Sequence, residues 1–206
     1  MTFVVPTVYP ITDRKLSGLS HAQQVARLIE GGATLIQLRD KESSPQVFFK
    51  EAEAALLIAR DHNVKIIIND RVDVAMTLNA DGAHLGQSDL PPGAARLILE
   101  PGSIVGMSTH NLAQVRLALT LPVDYVAFGP IFSTGTKPDH EPPVGLNRLT
   151  EAKQILGNIP LVAIGGISGE KVRDVLNAGA DSAAVVSALI SDPAQIAQNT
   201  RKLLSS

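Results

Sequence analysis

Eight short apolar runs rich in β-branched residues recur along the chain, and a longer amphipathic stretch follows each run. Runs this short and this continuously apolar are typical of strands that are buried on both faces of a parallel sheet. The amphipathic stretches predict the crossover helices that parallel strands require. The predicted strands are VYPIT (8–12), TLIQLR (34–39), KIIIN (65–69), GAHLG (82–86), IVGMS (104–108), YVAFG (125–129), LVAIG (161–165) and SAAVVS (182–187).

Capping residues indicate where the helices begin. Ser20, Ser44, Asn111 and Ser168 stand where a side chain can cap a helix, and Pro45 suits a first helical position. The predicted helices are His21–Glu30, Pro45–Asp61, Arg71–Leu78, Pro92–Leu99, Leu112–Leu119, Asn147–Leu156, Glu170–Ala178 and Pro193–Leu204.

Strict alternation of eight strands with eight helices favours closure of the sheet into a barrel. With 206 residues for eight units, the chain is near the lower size limit of such barrels. We therefore predict an α/β fold, a single (β/α)8 TIM barrel of eight parallel strands. Because no linker or charge run divides the sequence, residues 1–206 are predicted to form one domain. A doubly wound open sheet is the alternative, although such sheets usually have fewer strands.

Composition and net charge exclude several classes of binding partner and chemistry. Hydrophobic residues make up 45% and charged residues 18% of the chain, as in globular proteins. A net charge of −2 gives no electrostatic footprint for nucleic acid or an anionic membrane, so we expect small-molecule substrates. The absence of cysteine excludes disulfides and thiolate chemistry. Because the sequence has neither a secretory leader pattern nor a membrane-spanning stretch, we expect a cytoplasmic protein.

The second predicted strand ends in the polar stretch QLRDK (37–41). In a (β/α)8 barrel, functional side chains gather at the carboxyl ends of the strands. Side chains alternate along a strand, so Gln37, Arg39 and Lys41 share one face while Leu38 and Asp40 take the other. An amide and two cations on one face form a fork that can bind an anion. A solvated turn between strand and helix is the alternative.

Carboxylates follow the third and fourth strands. Asp70 comes after Asn69 at the end of one strand, and Asp89 follows the next. Mg²⁺ typically takes one or two protein carboxylates and completes its shell with water and substrate phosphate. Facing Arg39 and Lys41, the two aspartates predict a clamp for a metal and a diphosphate. The alternative is that each aspartate caps the helix that follows it.

The sixth strand leads into a long polar loop, GPIFSTGTKP (129–138). Thr134, Thr136 and Lys137 supply polar groups, and Gly135 supplies flexibility. We predict that this loop closes over a substrate. The alternative is an ordinary exposed loop that does not contact a substrate.

The fifth, seventh and eighth strands end in small or hydroxyl-bearing residues. Ser108 ends the fifth strand and His110 comes just after it, where a hydroxyl suits phosphate oxygens and a lone histidine is commonly structural. Gly166 follows the seventh strand and the pair Val186-Ser187 ends the eighth, where main-chain amides often bind phosphate in such barrels. The mouth is therefore predicted to hold a cationic diphosphate site and a separate monophosphate site. Together they describe a transferase whose leaving group is pyrophosphate.

Eight stretches carry a resemblance to a known family: YPITD, QLRDK, INDRVDVA, ADGAHLGQSDLP, GMSTH, DYVAFGPIFSTGTK, VAIGGI and GADSAAVVSAL. In this order and spacing the chain resembles the thiamine-phosphate synthase family from Tyr9 to about Leu189. The resemblance implies a Mg²⁺-dependent enzyme of thiamine biosynthesis. Such an enzyme condenses 4-amino-2-methyl-5-pyrimidinylmethyl diphosphate with 4-methyl-5-(2-phosphoethyl)thiazole by a dissociative displacement and releases pyrophosphate.

The resemblance also implies a role for each residue of the mouth. Asp70 and Asp89 would bind Mg²⁺. The residues implied for the pyrimidine diphosphate are Gln37, Leu38, Arg39, Asp40, Lys41, Asn69, Ser108 and Lys137. Those implied in catalysis are Arg39, Lys41, Ser108 and Lys137. Those implied for the thiazole phosphate are Thr134, Gly135, Thr136, Gly166, Val186 and Ser187.

Two other functions fit part of the pattern. A thiazole phosphate tautomerase on the same barrel would use a histidine directly after the glycine that ends the sixth strand, where this chain has Pro130. A non-catalytic sensor of a phosphorylated ligand would bind it without turnover. Barrels of this type often pair, so a homodimer is compatible with the sequence, although no interface can be read from it.

Overall fold

The computed structural model describes residues 3–135 and 142–205, and its eight strands form a closed parallel barrel in chain order. The ring closes where the first strand pairs with the last, with Val8 opposite Ala183. This confirms the predicted (β/α)8 barrel and excludes the open sheet. The strands are β1 Val8–Thr12, β2 Leu35–Leu38, β3 Lys65–Asn69, β4 Gly82–Leu85, β5 Ile104–Thr109, β6 Tyr125–Phe128, β7 Leu161–Ile164 and β8 Ser182–Val185.

Helices connect successive strands around the barrel. They are α1 Arg14–Ser17, α2 His21–Glu30, α3 Pro45–Asp61, α4 Val72–Thr77, α5 Pro92–Ile98, α6 Leu112–Ala118, α7 Gly145–Leu156, α8 Gly169–Asn177, α9 Ser187–Ile190 and α10 Ile196–Leu204. The last predicted helix is divided, because a 3-10 turn at Pro193–Gln195 precedes α10. Sequence patterning did not predict α1 and α9, since a single turn is too short to show a helical period. In the described part of the chain, no helix has the length and apolar character needed to cross a membrane.

Three of the four predicted capping side chains form their bonds. The hydroxyl of Ser20 accepts from the N–H of Gln23, whose side chain bonds back to Ser20 in a capping box. Ser44 and Asn111 likewise accept N–H groups in the first turns of α3 and α6. Ser168 precedes α8, but its side chain makes no capping hydrogen bond.

The strands separate two apolar cores. Outward-facing side chains such as Ile36 pack between the barrel and the helices. Inward-facing side chains, among them Tyr9, Leu35 and Tyr125, fill the barrel interior. Gly106 on β5 makes room for the Tyr125 ring, because a Cβ atom there would lie 2.0 Å from Tyr125 Cζ. The packed interior supports the mouth of the barrel from below.

Three aspartates close the amino end of the barrel. Each stands directly before an even-numbered strand, and its carboxylate accepts the main-chain N–H at the start of the preceding strand. The pairs are Asp81 with Ile66 at 2.8 Å, Asp124 with Val105 at 2.7 Å and Asp181 with Leu161 at 2.7 Å. Asp124 also pairs with Arg96, and Asp181 with Lys153.

Candidate active site

Two cavities open at the carboxyl ends of the strands. The first, the central cavity, lies over the barrel interior, and its lining includes Gln37, His84, Thr134, Gly165, Gly166, Val186 and Ser187. The second, the side cavity, lies over β2 to β5, and its lining includes Lys41, Asp70, Gln87 and Asp89. Residues that line both cavities are Arg39, Asn69, Ser108 and His110. The cavities therefore form one mouth with two compartments.

The end of β2 alternates between the mouth and the protein interior. Gln37 and Arg39 line the central cavity, whereas the Leu38 side chain is fully buried in the outer core. The Asp40 carboxylate turns back into its own loop, where Oδ1 accepts the N–H groups of Glu42 and Ser43 at 3.0 and 2.9 Å. Leu38 and Asp40 are absent from the lining of both cavities, so the structure does not bring these two predicted ligands to the mouth.

Each cation at the end of β2 is paired with an aspartate. Arg39 Nη1 lies 3.0 Å from Asp13 Oδ2, while the other carboxylate oxygen of Asp13 caps α1. Lys41 Nζ contacts the carboxylate of Asp70. Asp13 was not predicted as a site residue, because its proximity to Arg39 depends on the pairing of β1 with β2. Its double use fixes the guanidinium at the rim of the mouth.

Asp70 and Asp89 lie together in the side cavity. Neither caps a helix, because Arg71 and Pro91 occupy the cap positions of α4 and α5 without side-chain bonds. The capping alternative for these two aspartates is therefore wrong. Burial raises the pKa of Asp70, Lys41 opposes that rise and the neighbouring Asp89 adds to it.

The loops that carry Asp70 and Asp89 have an unusual backbone conformation at Asp70 and a stabilising hydrogen bond at Asp89. Asp89 Oδ2 accepts the N–H of Gly86 at 2.7 Å, which folds the loop after β4. Asp70 has a φ of 63°, in the left-handed region that is uncommon for residues other than glycine. Strained backbone of this kind occurs often at functional sites, where the surrounding structure maintains it.

The opposite side of the mouth is built from small residues. Gly166 has a φ of 65°, and a Cβ atom there would lie 2.4 Å from the carbonyl oxygen of Ser133. The predicted eighth strand is too long, because β8 ends at Val185 and Ser187 is the first residue of α9. Thr134, Val186 and Ser187 line the central cavity, whereas Gly135 is exposed and outside its lining. Thr136 and Lys137 lie outside the described residues.

Sequence reasoning missed a cation on this side. Lys171, in α8, places Nζ 3.3 Å from the carbonyl oxygen of Gly166 and 4.5 Å from the centroid of the Phe132 ring. Because Phe132 belongs to the loop after β6, Lys171 joins that loop to the loop after β7. Nothing in the local pattern of α8 distinguishes this lysine from an exposed one.

Two histidines also face the mouth. His84, on β4, is buried, and its ring nitrogens bond to Tyr125 and Ser108. The signal for it was a polar residue within an apolar strand, GAHLG. His110 lies with Nδ1 2.7 Å from the carbonyl oxygen of Gly129, so its ring is fixed across the end of β6.

Cations and paired carboxylates lie on one side of the mouth, and close-packed glycine with hydroxyls on the other. This arrangement, at the carboxyl end of a (β/α)8 barrel, places the protein in the class of barrel enzymes whose mouth can accept anionic small molecules.

Comparison with known proteins narrows that class to a family. The family described as thiamine monophosphate synthase matches residues 8–189. A thiamine-phosphate synthase of Chloroflexus aurantiacus is 42% identical over 201 residues, which cover 96% of this chain and 92% of the relative. One of Koribacter versatilis is 41% identical over 209 residues, with 98% and 97% covered. A thiamine phosphate pyrophosphorylase structure from Pyrococcus furiosus superposes with a TM-score of 0.86 at 33% identity, covering 97% of this chain and 94% of that one.

The chain belongs to the thiamine monophosphate synthase family. This confirms the resemblance read from the sequence and makes the protein an enzyme of thiamine biosynthesis, a transferase. Neither the tautomerase nor the non-catalytic sensor is favoured by these matches.

Proposed function

We propose that the protein condenses 4-amino-2-methyl-5-pyrimidinylmethyl diphosphate with 4-methyl-5-(2-phosphoethyl)thiazole, giving thiamine phosphate and pyrophosphate. The observation that carries the proposal is the division of the mouth into two compartments. A diphosphate suits the compartment with Arg39, Lys41 and the aspartate pair. A monophosphate suits the compartment with Gly166 and Ser187. The reacting carbon and nitrogen would meet where the compartments join.

Charge stabilisation on the leaving diphosphate is the main catalytic task. Arg39, held by Asp13, and Lys41 are positioned to stabilise the negative charge that accumulates as the diphosphate departs. The hydroxyl of Ser108 lies where the two compartments meet and is proposed to donate to the same group. Lys137 is assigned to this task by the family resemblance alone. Asn69 lines both compartments and would contact the pyrimidine diphosphate through its amide.

Asp70 and Asp89 would hold Mg²⁺. The pair fits that ion, because two adjacent carboxylates, one of them with a raised pKa, lie in a cavity where Lys41 contacts Asp70. Among residues 3–135 and 142–205, no third carboxylate or imidazole joins them in a metal-binding group. Two carboxylates plus water and phosphate oxygens form a common Mg²⁺ shell. Bound Mg²⁺ would neutralise charge on the diphosphate.

The displacement needs no general base. The amino group of the pyrimidine donates electrons into its ring, so the bond between the ring-bound CH₂ and the diphosphate oxygen breaks as pyrophosphate leaves. The thiazole nitrogen, which carries no proton, then forms the new carbon–nitrogen bond. The residues of the mouth orient both molecules and exclude water from the reactive carbon.

The thiazole phosphate is proposed to bind on the side of β6 to β8. The residues assigned to it are Thr134, Gly135, Thr136, Gly166, Val186 and Ser187. Gly166 supports this assignment, because it has no side chain to block the approach of phosphate to the main chain. The loop that carries Thr134 would close over the bound molecules.

Pyrophosphate release tests the proposal directly. We expect release with both substrates and Mg²⁺, none with either substrate alone, and loss of release in EDTA that excess Mg²⁺ reverses. Conversion of the thiazole phosphate on its own would instead favour the tautomerase. Binding of both molecules without release would contradict the transferase assignment. A cytoplasmic location stays a prediction.

A further inference from the structure

A chain of hydrogen bonds crosses the barrel interior beneath the central cavity. Gln37 Nε2 lies 3.1 Å from Tyr9 Oη, and Tyr9 Oη lies 3.1 Å from Tyr125 Oη. Tyr125 Oη lies 2.9 Å from His84 Nδ1. His84 Nε2 lies 2.8 Å from Ser108 Oγ. We call these five residues the relay. Gln37, His84 and Ser108 line the central cavity, and every member of the relay except Ser108 is buried.

Each internal member of the relay has one hydrogen to give. Burial raises the pKa of Tyr9 and of Tyr125, so both phenols keep their hydrogens. In its neutral form, the His84 imidazole carries a hydrogen on one nitrogen only. With one hydrogen per member, every bond is satisfied only when all hydrogens point the same way along the relay. Two directions exist, and they are mutually exclusive.

The amide of Gln37 selects between these directions. Its nitrogen, which faces Tyr9, can only donate. Tyr9 therefore donates to Tyr125, and Tyr125 donates to His84 Nδ1. His84 then carries its hydrogen on Nε2 and donates to Ser108 Oγ. The hydroxyl hydrogen of Ser108 is left to point into the cavity. With the amide reversed, Ser108 would donate to His84 and offer only lone pairs to a ligand.

We propose that His84 is a positioning residue, and that the relay keeps Ser108 as a hydrogen-bond donor toward the anionic ligand of the mouth. The proposal deepens the function proposed above, because it makes Ser108 a preorganised donor to the leaving diphosphate. Preorganisation matters because a hydroxyl that must reorient during the reaction contributes less to transition-state stabilisation. The tyrosines are absent from the lining of both cavities, and they act on Ser108 through His84.

The tautomer of His84 is a direct test that needs no turnover. We expect ¹⁵N NMR of the labelled protein to show His84 with Nε2 protonated and Nδ1 bare, with the resonances assigned by comparison with His84→Gln. A hydrogen on Nδ1 would overturn the proposal, because it requires the opposite direction of the relay. This result stands whether or not pyrophosphate is released, so it separates failure of the relay from failure of the proposed function.

Tyr125→Phe tests whether the relay acts through Ser108. The variant removes the hydroxyl but keeps a ring that packs against Tyr9 and His84. His84 Nδ1 then loses its donor, and we expect kcat to fall about tenfold, the value of one lost net hydrogen bond of the stronger kind. Tyr9→Phe, one step further from Ser108, should reduce kcat less.

A double-mutant cycle completes the test. Ser108→Ala combined with Tyr125→Phe should be no slower than Ser108→Ala alone, because the relay has nothing left to orient. Losses that multiply, or a Tyr125→Phe kcat within about twofold of the starting protein, would show that the tyrosines do not act through Ser108.

Discussion

The two ends of the barrel use aspartate in opposite ways. At the amino end, Asp81, Asp124 and Asp181 each accept a main-chain N–H at the start of a strand. At the carboxyl end, Asp70 shares the side cavity with Asp89, a second carboxylate, and with Lys41. The first arrangement completes the hydrogen bonding of the protein itself. The second leaves charges facing a space that a ligand can enter.

The aspartates at the amino end serve the sheet, whereas Asp70 and Asp89 serve the cavity at the carboxyl end. An aspartate before a strand reaches the N–H groups of the neighbouring strand and closes the sheet. Asp70 and Asp89 follow strands and line the side cavity beside Lys41. Stability and function are thus separated along the barrel axis, as in other barrels of this type.

Lys41→Ala should have the largest effect, and that effect should be on activity. Removal of one charge-stabilising donor is expected to lower kcat for pyrophosphate release about 10²–10³-fold. The melting temperature should change little, since the Lys41 side chain is 49% exposed. Lys15→Ala is the matched control, because Lys15 pairs with Glu42 on the nearby surface. Equal losses in both variants would argue against a specific role for Lys41.

Acid should lower the free energy of unfolding of the protein through His21, which lies near the carboxyl end of β1. Burial lowers the pKa of His21 to about 4, so between pH 6.5 and 4 the unfolded chain takes up a proton that the folded protein does not. The stabilisation is present above pH 6.5 and is lost as the pH falls through this window. The free energy of unfolding can fall by about 3 kcal/mol across this window, because each pH unit contributes about 1.4 kcal/mol.

Denaturant unfolding at several pH values measures this loss. His21→Gln should be less stable near pH 7 but have a flatter pH dependence than the starting protein. His62→Gln, at an exposed histidine after α3, is the control and should keep the original slope. An unchanged slope in His21→Gln would contradict the assignment.

Asp124→Ala should affect stability and leave the chemistry intact. It removes the acceptor for the N–H of Val105 and the partner of Arg96, so we expect a loss of about 1–3 kcal/mol in the free energy of unfolding. Glu30→Ala breaks a pair with Arg201 at the surface, and should cost less than about 1 kcal/mol. A large fall in kcat for Asp124→Ala would contradict the assignment of stability to the amino end and of function to the carboxyl end.

Lys171→Met should have the smallest effect. Loss of the contacts with Phe132 and Gly166 is expected to raise the KM for the thiazole phosphate about twofold to fivefold, the range of one exposed cation–π contact. The KM for the pyrimidine diphosphate should not change. Lys153→Met, which removes the partner of Asp181 at the amino end, should alter stability and leave both KM values unchanged.

The sequence was sufficient for the barrel because its signals are local. Apolar runs and capping residues depend on neighbours within a few positions, so the bounds of α2, α3, β1 and β3 were predicted to the residue. The position of charged residues after β2, β3 and β4 followed from the same alternation. The placement of Asp70 and Asp89 in one cavity then required only that adjacent strands end at the same edge.

Contacts across the barrel could not be predicted in this way. The relay joins residues on five strands, and Tyr9 and Tyr125 are 116 positions apart. Asp13 beside Arg39 and Lys171 beside Gly166 likewise depend on how separate loops pack. Local patterns carry no information on such distances. Thr136 and Lys137 were predicted as site residues and lie outside the described residues.

Closure of β1 against β8 has a consequence for synthesis. The barrel cannot close until β8, Ser182–Val185, has left the ribosome. Its partner β1, Val8–Thr12, is synthesised before all the other strands. Until then the growing sheet keeps two unpaired edges, which are sites for pairing with other chains. Pairing of β8 with β1 therefore removes both exposed edges from a nascent chain of this protein, and with them these sites for aggregation.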